Sequence, residues 1–202
     1  MNETIRFVLA SGSPRRREIL TRLGCSFTVH TSNVPEDDVQ GKVEDVVRTL
    51  AHRKAAEVAQ SEKDAVIIAA DTLVWADGQA LGKPEDASDA CRMLKELSGR
   101  THEVVSGLCL VNTRTGREFT GFDRTYVHFR ELSGQEIASY VETGEPMDKA
   151  GAYAIQGGAG AFVENIEGSY DNIVGFPTEL FLKVLPGILE QQEETICLRS
   201  HF

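Results

Sequence analysis

The sequence predicts an α/β fold built on a mixed, twisted sheet with flanking helices, and three observations carry that prediction. A continuous apolar run, A-V-I-I-A-A at residues 65–70, has the composition of a strand covered on both faces. Segments with apolar residues at helical spacing flank it, at about 44–60 and 87–97. Helical and extended patterns then interleave along the chain with no internal repeat and no linker, as α/β domains require. The 202 residues suffice for one domain with a real core, or a large one with two lobes.

Taken in order, Ile5 to Ala10 read as a short buried strand. Ser13 caps a helix with Pro14 at its first position, Ile19, Leu20 and Leu23 on one face, and Gly24 as its stop. A second helix spans about Glu44 to Gln60, followed by the 65–70 strand. Asp77-Gly78, between Val74-Trp75 and Ala80-Leu81, predicts a tight hairpin. A third helix covers Ala87 to Leu97, with Ala90, Met93, Leu94 and Leu97 on one face and Gly99 as its stop. Two longer strands, Glu103 to Asn112 and Arg117 to Arg130, surround the turn at Thr113–Gly116. Ser133 and Glu136 form a capping box for a helix ending near Gly144. A glycine-rich stretch from Gly151 to Gly160, a strand around Ala161 to Ile166 and a helix from about Pro177 complete a domain over residues 5–189. Residues 190–202 read as an acidic, frayed tail.

The net charge of −10 has the wrong sign for coating a nucleic acid, which is driven by neutralising phosphates with Lys and Arg. A phosphate-bearing small molecule would need a local basic cluster or a metal ion. Cys25, Cys91, Cys109 and Cys197 lack any metal or redox spacing and suit a reducing compartment. The N-terminus is too short and too acidic for a signal peptide, and no apolar run approaches a membrane span. A cytoplasmic protein is expected, with no membrane and no nucleic-acid polymer as partner; a homodimer is compatible with the sequence.

Four features carry chemistry. Arg15, Arg16 and Arg17 occupy the first turn of a helix, where the dipole normally selects acidic residues. Together with the free N–H groups behind Ser11-Gly12-Ser13 they favour an anion; the alternative is that they face solvent and pair with neighbours such as Glu18. Lys54 falls inside the apolar stripe of Val47, Leu50, Ala51, Ala55 and Val58, so it either snorkels out or reaches an anion. Asp71-Thr72 closes the apolar strand, where a carboxylate suits metal coordination or water activation, or simply begins a turn. Lys83, in G-K-P, supplies a further cation, and the run Glu36-Asp37-Asp38 is either a solvated loop or the source of a second metal ligand. The glycines of 148–158 allow either close approach to a ligand or a bulged turn.

Arg15, Arg16, Asp71, Thr72, Lys83 and the glycine-rich stretch lie in a series of motifs, L-A-S-G-S-P-R-R, A-A-D-T, G-K-P, L-S-G-R-T-H, E-P-M-D-K-A-G-A-Y-A-I-Q-G and V-G-F-P. In this order and spacing the chain resembles the Maf-type nucleotide pyrophosphatases from about Ile5 to Leu185. The resemblance implies a fold similar to inosine triphosphate pyrophosphatases, with two lobes around a cleft. It implies hydrolysis of a nucleoside triphosphate to monophosphate and pyrophosphate with a divalent metal, magnesium first, manganese or cobalt as alternatives. It places Asp71 at the catalytic acid–base position, with Lys54, Lys83 and Glu36 as the remaining catalytic polar cluster and Asp71 and Glu36 on the metal. Ser11, Ser13, Arg15, Arg16, Thr72 and Gln156 become the substrate-binding set, Arg15 the principal contact and Arg16 its support. At the Glu36 position the family usually has Val-Asp/Glu-Glu, whereas this chain has Val34-Pro35-Glu36.

Ser-Pro-Arg-Arg, Ala-Asp-Thr and Ile-Gln are similar to the branch acting on thymidine and uridine triphosphates, with modified pyrimidines as further substrates. The Gln156 amide offers an acceptor and a donor matching N3–H and O4 of thymine or uracil. The rival reading is a non-catalytic, nucleotide-binding regulator of cell division; a water-activating carboxylate beside two lysines favours the enzyme.

Overall fold

The computed structural model describes residues 5–36 and 39–189. Seven strands form one sheet in the order β2-β1-β3-β5-β6-β7, with β4 paired to β3. They are β1 (Arg6–Leu9), β2 (Phe27–Val29), β3 (Ala65–Ala76), β4 (Gln79–Leu81), β5 (Thr101–Asn112), β6 (Glu118–Phe129) and β7 (Val163–Glu167). Parallel pairs at β1, an antiparallel hairpin at β3–β4 and the antiparallel β6–β7 pair make the sheet mixed, as the alternation of elements predicts. The chain divides into two compact units, and β3, β5 and β6 each contribute residues to both.

The first unit takes residues up to Asp71, Ser106–Asp123 and the chain from Gly175 onward. β1 pairs in parallel with β2 on one side and with β3 on the other, Phe7 opposite both Phe27 and Val66. Parallel neighbours need crossovers, which here are the helices α1 (Pro14–Arg22) and α2 (Val43–Ala59). Helix α1 begins as its sequence requires: Ser13 is extended, its hydroxyl accepts from Arg16 N, Pro14 fills the first position, and Gly24 reverses the chain at φ 76°. Helix α2 turns Ala51, Ala55 and Val58 into a core with Val8, Ala10, Ala65, Ile67, Ala69 and Cys109. Gly107 on β5 lets the α2 backbone lie directly on the sheet, since a Cβ there would overlap the Val47 carbonyl.

The second unit holds Thr72–Val105 and Arg124–Val174. Asp77 and Gly78, at φ 48° and 80°, make the β3–β4 turn, with Val74 opposite Leu81. Helices α3 (Ala87–Leu97) and α4 (Gly134–Glu142) are both capped by their own sequence, Asp86 accepting from Asp89 N and Ser133 with Glu136 closing a complete capping box. Their buried faces meet Phe129, Phe162 and Tyr153, aromatic rings stacked edge to face. Three short 3-10 turns carry residues 145–162.

Three differences from expectation have physical causes. Strand β3 does not end after its apolar run: it continues through Asp71 and Thr72 to Ala76, so Asp71 is its seventh residue and starts no turn. The apolar run stops at a buried carboxylate, Asp71, and burial becomes partial from Thr72, while the backbone stays extended toward the hairpin. Strand β2 has only three partly exposed residues, too few for an alternation to register. Helix α5 (Tyr170–Val174) has five residues, little more than one turn; the remaining helix, α6 (Thr178–Ile188), starts as predicted. The 190–202 tail, Cys197, Asp37 and Asp38 lie outside the described residues.

Candidate functional site

The first unit places a basic helix end and a lysine–carboxylate cluster among its own elements. Ser11, buried at the end of β1, receives two donors on its hydroxyl: Ser13 N at 3.2 Å and Arg16 NH1 at 3.0 Å. The Arg16 Nε donates to the Gly175 carbonyl at 2.8 Å, so the guanidinium is held at two points. Burial pushes its pKa below the ordinary value, Asp71 pulls it back up, Arg15 lowers it and Glu36 raises it. Arg16 is therefore a fixed positive charge in the field of both carboxylates.

The sequence expectation gave the leading part to Arg15 and a supporting part to Arg16. The structure distinguishes them differently: Arg15 has no hydrogen bond or ion pair among the described residues, whereas Arg16 is built in. Arg17 is exposed and donates to the Gly12 carbonyl at 3.5 Å rather than pairing with Glu18. His52, on α2, is exposed and faces Glu118 at 3.2 Å.

Lys54 resolves the ambiguity of its position. It does not snorkel to solvent; its Nζ lies 2.7 Å from Asp71 Oδ1 and 2.8 Å from Glu36 Oε1, with only 11% of its side chain exposed. A cation inside an apolar stripe is tolerated because two carboxylates meet it. Asp71 projects from the middle of β3 and is itself 5% exposed. Its Oδ2 is buried and has no hydrogen-bond partner among the described residues. A charged oxygen left bare inside a protein is costly, and its natural use is to receive a proton, a water or a cation. Glu36 approaches from a loop with its side chain half exposed.

Thr72, Lys83 and Gln156 fall in the second unit. Thr72 follows Asp71 on β3 and so projects to the opposite face of the strand. Lys83 and Gln156 are exposed. Their segments meet within that unit, because Gly151 N donates to the Gly82 carbonyl at 3.0 Å. The G-K-P motif and the glycine-rich loop, far apart in the chain, are thus one local structure. Among the described residues, no three His, Cys, Asp or Glu side chains gather as a metal cage. Two carboxylates are nevertheless a sufficient protein share for magnesium, which keeps waters and substrate phosphates as its other ligands.

Two structural residues carry no sequence signal of their function. Gly175, at φ 119°, presents the carbonyl that holds Arg16. His102, 2% exposed, joins Tyr153 of the glycine-rich loop through Nε2 and the phenol oxygen at 2.9 Å. Both lie in motifs quoted above, V-G-F-P and L-S-G-R-T-H, but their partners are 159 and 51 residues away.

The family described as Maf-like protein matches residues 6–188. A Thermococcus gammatolerans protein named dTTP/UTP pyrophosphatase is 52% identical over 177 residues, 88% of this chain and 94% of that one. A Clostridium perfringens protein of the same name is 47% identical over 184 residues, 90% of this chain and 96% of that one. Among solved structures, the Staphylococcus aureus Ham1 protein is similar in fold, with a TM-score of 0.52 at 13% identity over 90% of this chain and 98% of that one.

Proposed function

The chain belongs to the Maf-like family, and from that premise we propose that it is a nucleoside triphosphate pyrophosphatase acting on dTTP and UTP, the substrates named in its relatives. The observation that carries the reading is the bare Oδ2 of Asp71, whose other oxygen is held by Lys54. Oδ1 is fixed by the ammonium, so the carboxylate is oriented and its free oxygen is available to a water. In hydrolysis the water gives a proton to Asp71 as its oxygen forms a new bond to phosphorus. The bridging P–O bond between the α- and β-phosphates breaks, and pyrophosphate leaves. Arg16 and the N-terminus of α1 offer fixed positive charge for the phosphate oxygens. Arg15, without a hydrogen bond or ion pair among the described residues, is available to the same anion. Lys83 adds a further cation, and Gln156 reads the pyrimidine edge.

A divalent cation, magnesium in the first instance and manganese or cobalt as alternatives, would be held by Asp71 and Glu36; when bound it neutralises phosphate charge and orients the water. The free thiols Cys25, Cys91 and Cys109 support a reducing, cytoplasmic setting. No described helix is long and apolar enough to cross a membrane.

The test incubates the purified protein with magnesium and a panel of canonical nucleoside triphosphates, then separates pyrophosphate from orthophosphate. Pyrophosphate released fastest from dTTP and UTP is expected. Orthophosphate would make the protein a phosphatase, and absence of product would leave only a nucleotide-binding role.

A further inference from the structure

The glycine-rich loop is held on both sides of Gln156 by one pair of side chains. Tyr140, on α4, accepts from Ala154 N at 3.1 Å and donates to Glu145 Oε1 at 2.8 Å. Glu145 in turn accepts from Gly158 N, at 3.1 Å through Oε1 and 3.3 Å through Oε2. Two backbone amides, four residues apart, thus converge on a single hydroxyl–carboxylate pair, and exposed Gln156 stands midway between them. Gly157 has to be glycine for this: a Cβ there would overlap the Glu145 carboxylate, although its φ of −111° is open to any residue.

The bracket is itself anchored. Tyr140 is 6% exposed and packs edge to face on Phe162, with ring centroids 5.2 Å apart. Burial raises its pKa, so the phenol stays protonated and keeps its donor. A hydroxyl has one donor and two acceptor sites, and here the donor and one acceptor are both committed.

We propose that Tyr140 and Glu145 are positioning residues that set base selectivity by fixing the backbone on either side of Gln156. The inference rests on the pyrophosphatase reading and on Gln156 as the base reader. An amide can discriminate between bases only if its oxygen and nitrogen are held in one orientation. A reader on a loose loop would rotate to suit cytosine, whose N4 amino group and N3 acceptor invert the pattern of uracil. Among the described residues the exposed Gln156 side chain itself makes no hydrogen bond, so the precision has to come from the main chain.

Three variants separate this role from general damage. Tyr140→Phe removes both of its bonds while preserving the packed ring. Glu145→Ala removes the Gly158 bond and the Tyr140 acceptor. Glu145→Gln keeps one oxygen, and Oε1 alone receives both donors, so it is the rescuing variant. Steady-state rates on UTP and CTP are expected to show the UTP preference falling about tenfold in the first two variants, through a raised UTP KM with kcat held within about twofold. Glu145→Gln stays near the parent. A merely structural defect would instead lower kcat on both nucleotides alike.

Amide hydrogen exchange at Ala154 and Gly158 supplies a readout that needs no turnover. Exchange at both amides is expected to accelerate in Tyr140→Phe and Glu145→Ala and to remain slow in Glu145→Gln. Unchanged exchange overturns the bracket, whatever the protein hydrolyses. Faster exchange with an unchanged UTP-to-CTP ratio overturns the link to selectivity. An inactive parent protein whose exchange responds as stated would instead overturn the pyrophosphatase reading and, with it, selectivity as the bracket's purpose.

Discussion

Lys54→Met asks how strongly the Asp71 carboxylate depends on its lysine. Methionine preserves the length and apolar body of the side chain within the α2 stripe, so the perturbation is the loss of one charge. Asp71 then stays 8% exposed in its side chain, with Oδ2 already bare and Oδ1 newly so. Removing one partner of a buried pair costs about 3–5 kcal/mol because the remaining charge is left uncompensated. The bond to Glu36 adds at most about 1 kcal/mol, since that carboxylate is 54% exposed. Asp71→Asn is much milder, about 1 kcal/mol, because an amide oxygen still accepts from Lys54, which also keeps Glu36. Adding Asp71→Asn to Lys54→Met therefore restores at least about 2 kcal/mol, a coupling that only a direct pair generates.

Urea unfolding in the absence of divalent cations measures the cycle. Trp75 and all four tyrosines lie in the second unit, so fluorescence reports on that unit alone. Far-UV circular dichroism has to follow α1 and α2. A Lys54→Met protein within about 1 kcal/mol of the parent, or a double variant no more stable than Lys54→Met, refutes the assignment of Asp71 as a charge held by Lys54.

Four further outcomes follow from the same geometry. Asp71→Asn is expected to lower pyrophosphate release by about 10²–10⁴-fold with the helical dichroism intact; an active, well-folded variant removes Asp71 from the proton transfer. Gln156→Glu replaces the amide donor by an acceptor facing O4, and kcat/KM on dTTP and UTP is expected to drop about 10–100-fold, with no such drop on CTP, as measured by competition between nucleotides. Burial lowers the His102 pKa from 6.5 to about 4, so its neutral form stabilises the fold above pH 6.5 and that contribution is lost as pH falls toward 4. The loss amounts to about 3 kcal/mol, and it should vanish in His102→Gln when urea unfolding at pH 7.5 and 4.5 is followed by tryptophan fluorescence. Gly107→Ala forces a methyl into the Val47 carbonyl and is expected to cost about 3 kcal/mol or more by dichroism-monitored unfolding.

Most of the architecture was legible because its signals are local. Ser13-Pro14 starts a helix, Asp77-Gly78 turns a hairpin, and Ser133 with Glu136 closes a capping box, each through residues within a few positions of one another. Lys54 was legible as an anomaly, since a cation in an apolar stripe demands a reason. That reason, a carboxylate 17 residues away on β3 and another on a loop, is a tertiary contact. Asp71 was legible as a residue type and misplaced as a structural one. Strand ends are inferred from where burial stops, but backbone pairing can outlast burial, and β3 runs five residues past Asp71 into the hairpin.

The arginine pair shows most sharply where local pattern runs out. Consecutive helical residues project about 100° apart, so Arg15 and Arg16 cannot both point the same way. The sequence contains no local rule for choosing between them, because both stand in the same electrostatic field of the helix end. The choice is made by Ser11, four to five residues back, and by a carbonyl at Gly175 that only the folded chain brings near. Hydrogen bonds to Ser11 and Gly175 immobilise Arg16, while Arg15 is unengaged among the described residues, which divides the work. A prebuilt charge loses no entropy when an anion arrives, while an untethered one orders only upon contact. Replacing Arg16 should therefore weaken the free protein as well as its turnover, since the bonds to Ser11 and Gly175 are lost. Replacing Arg15 should affect substrate alone. An Arg15→Ala protein with parent stability and a raised KM, beside an Arg16→Ala protein that unfolds at lower urea, is the expected pair of results. Equal stability in both variants would show that the two-point hold on Arg16 contributes nothing.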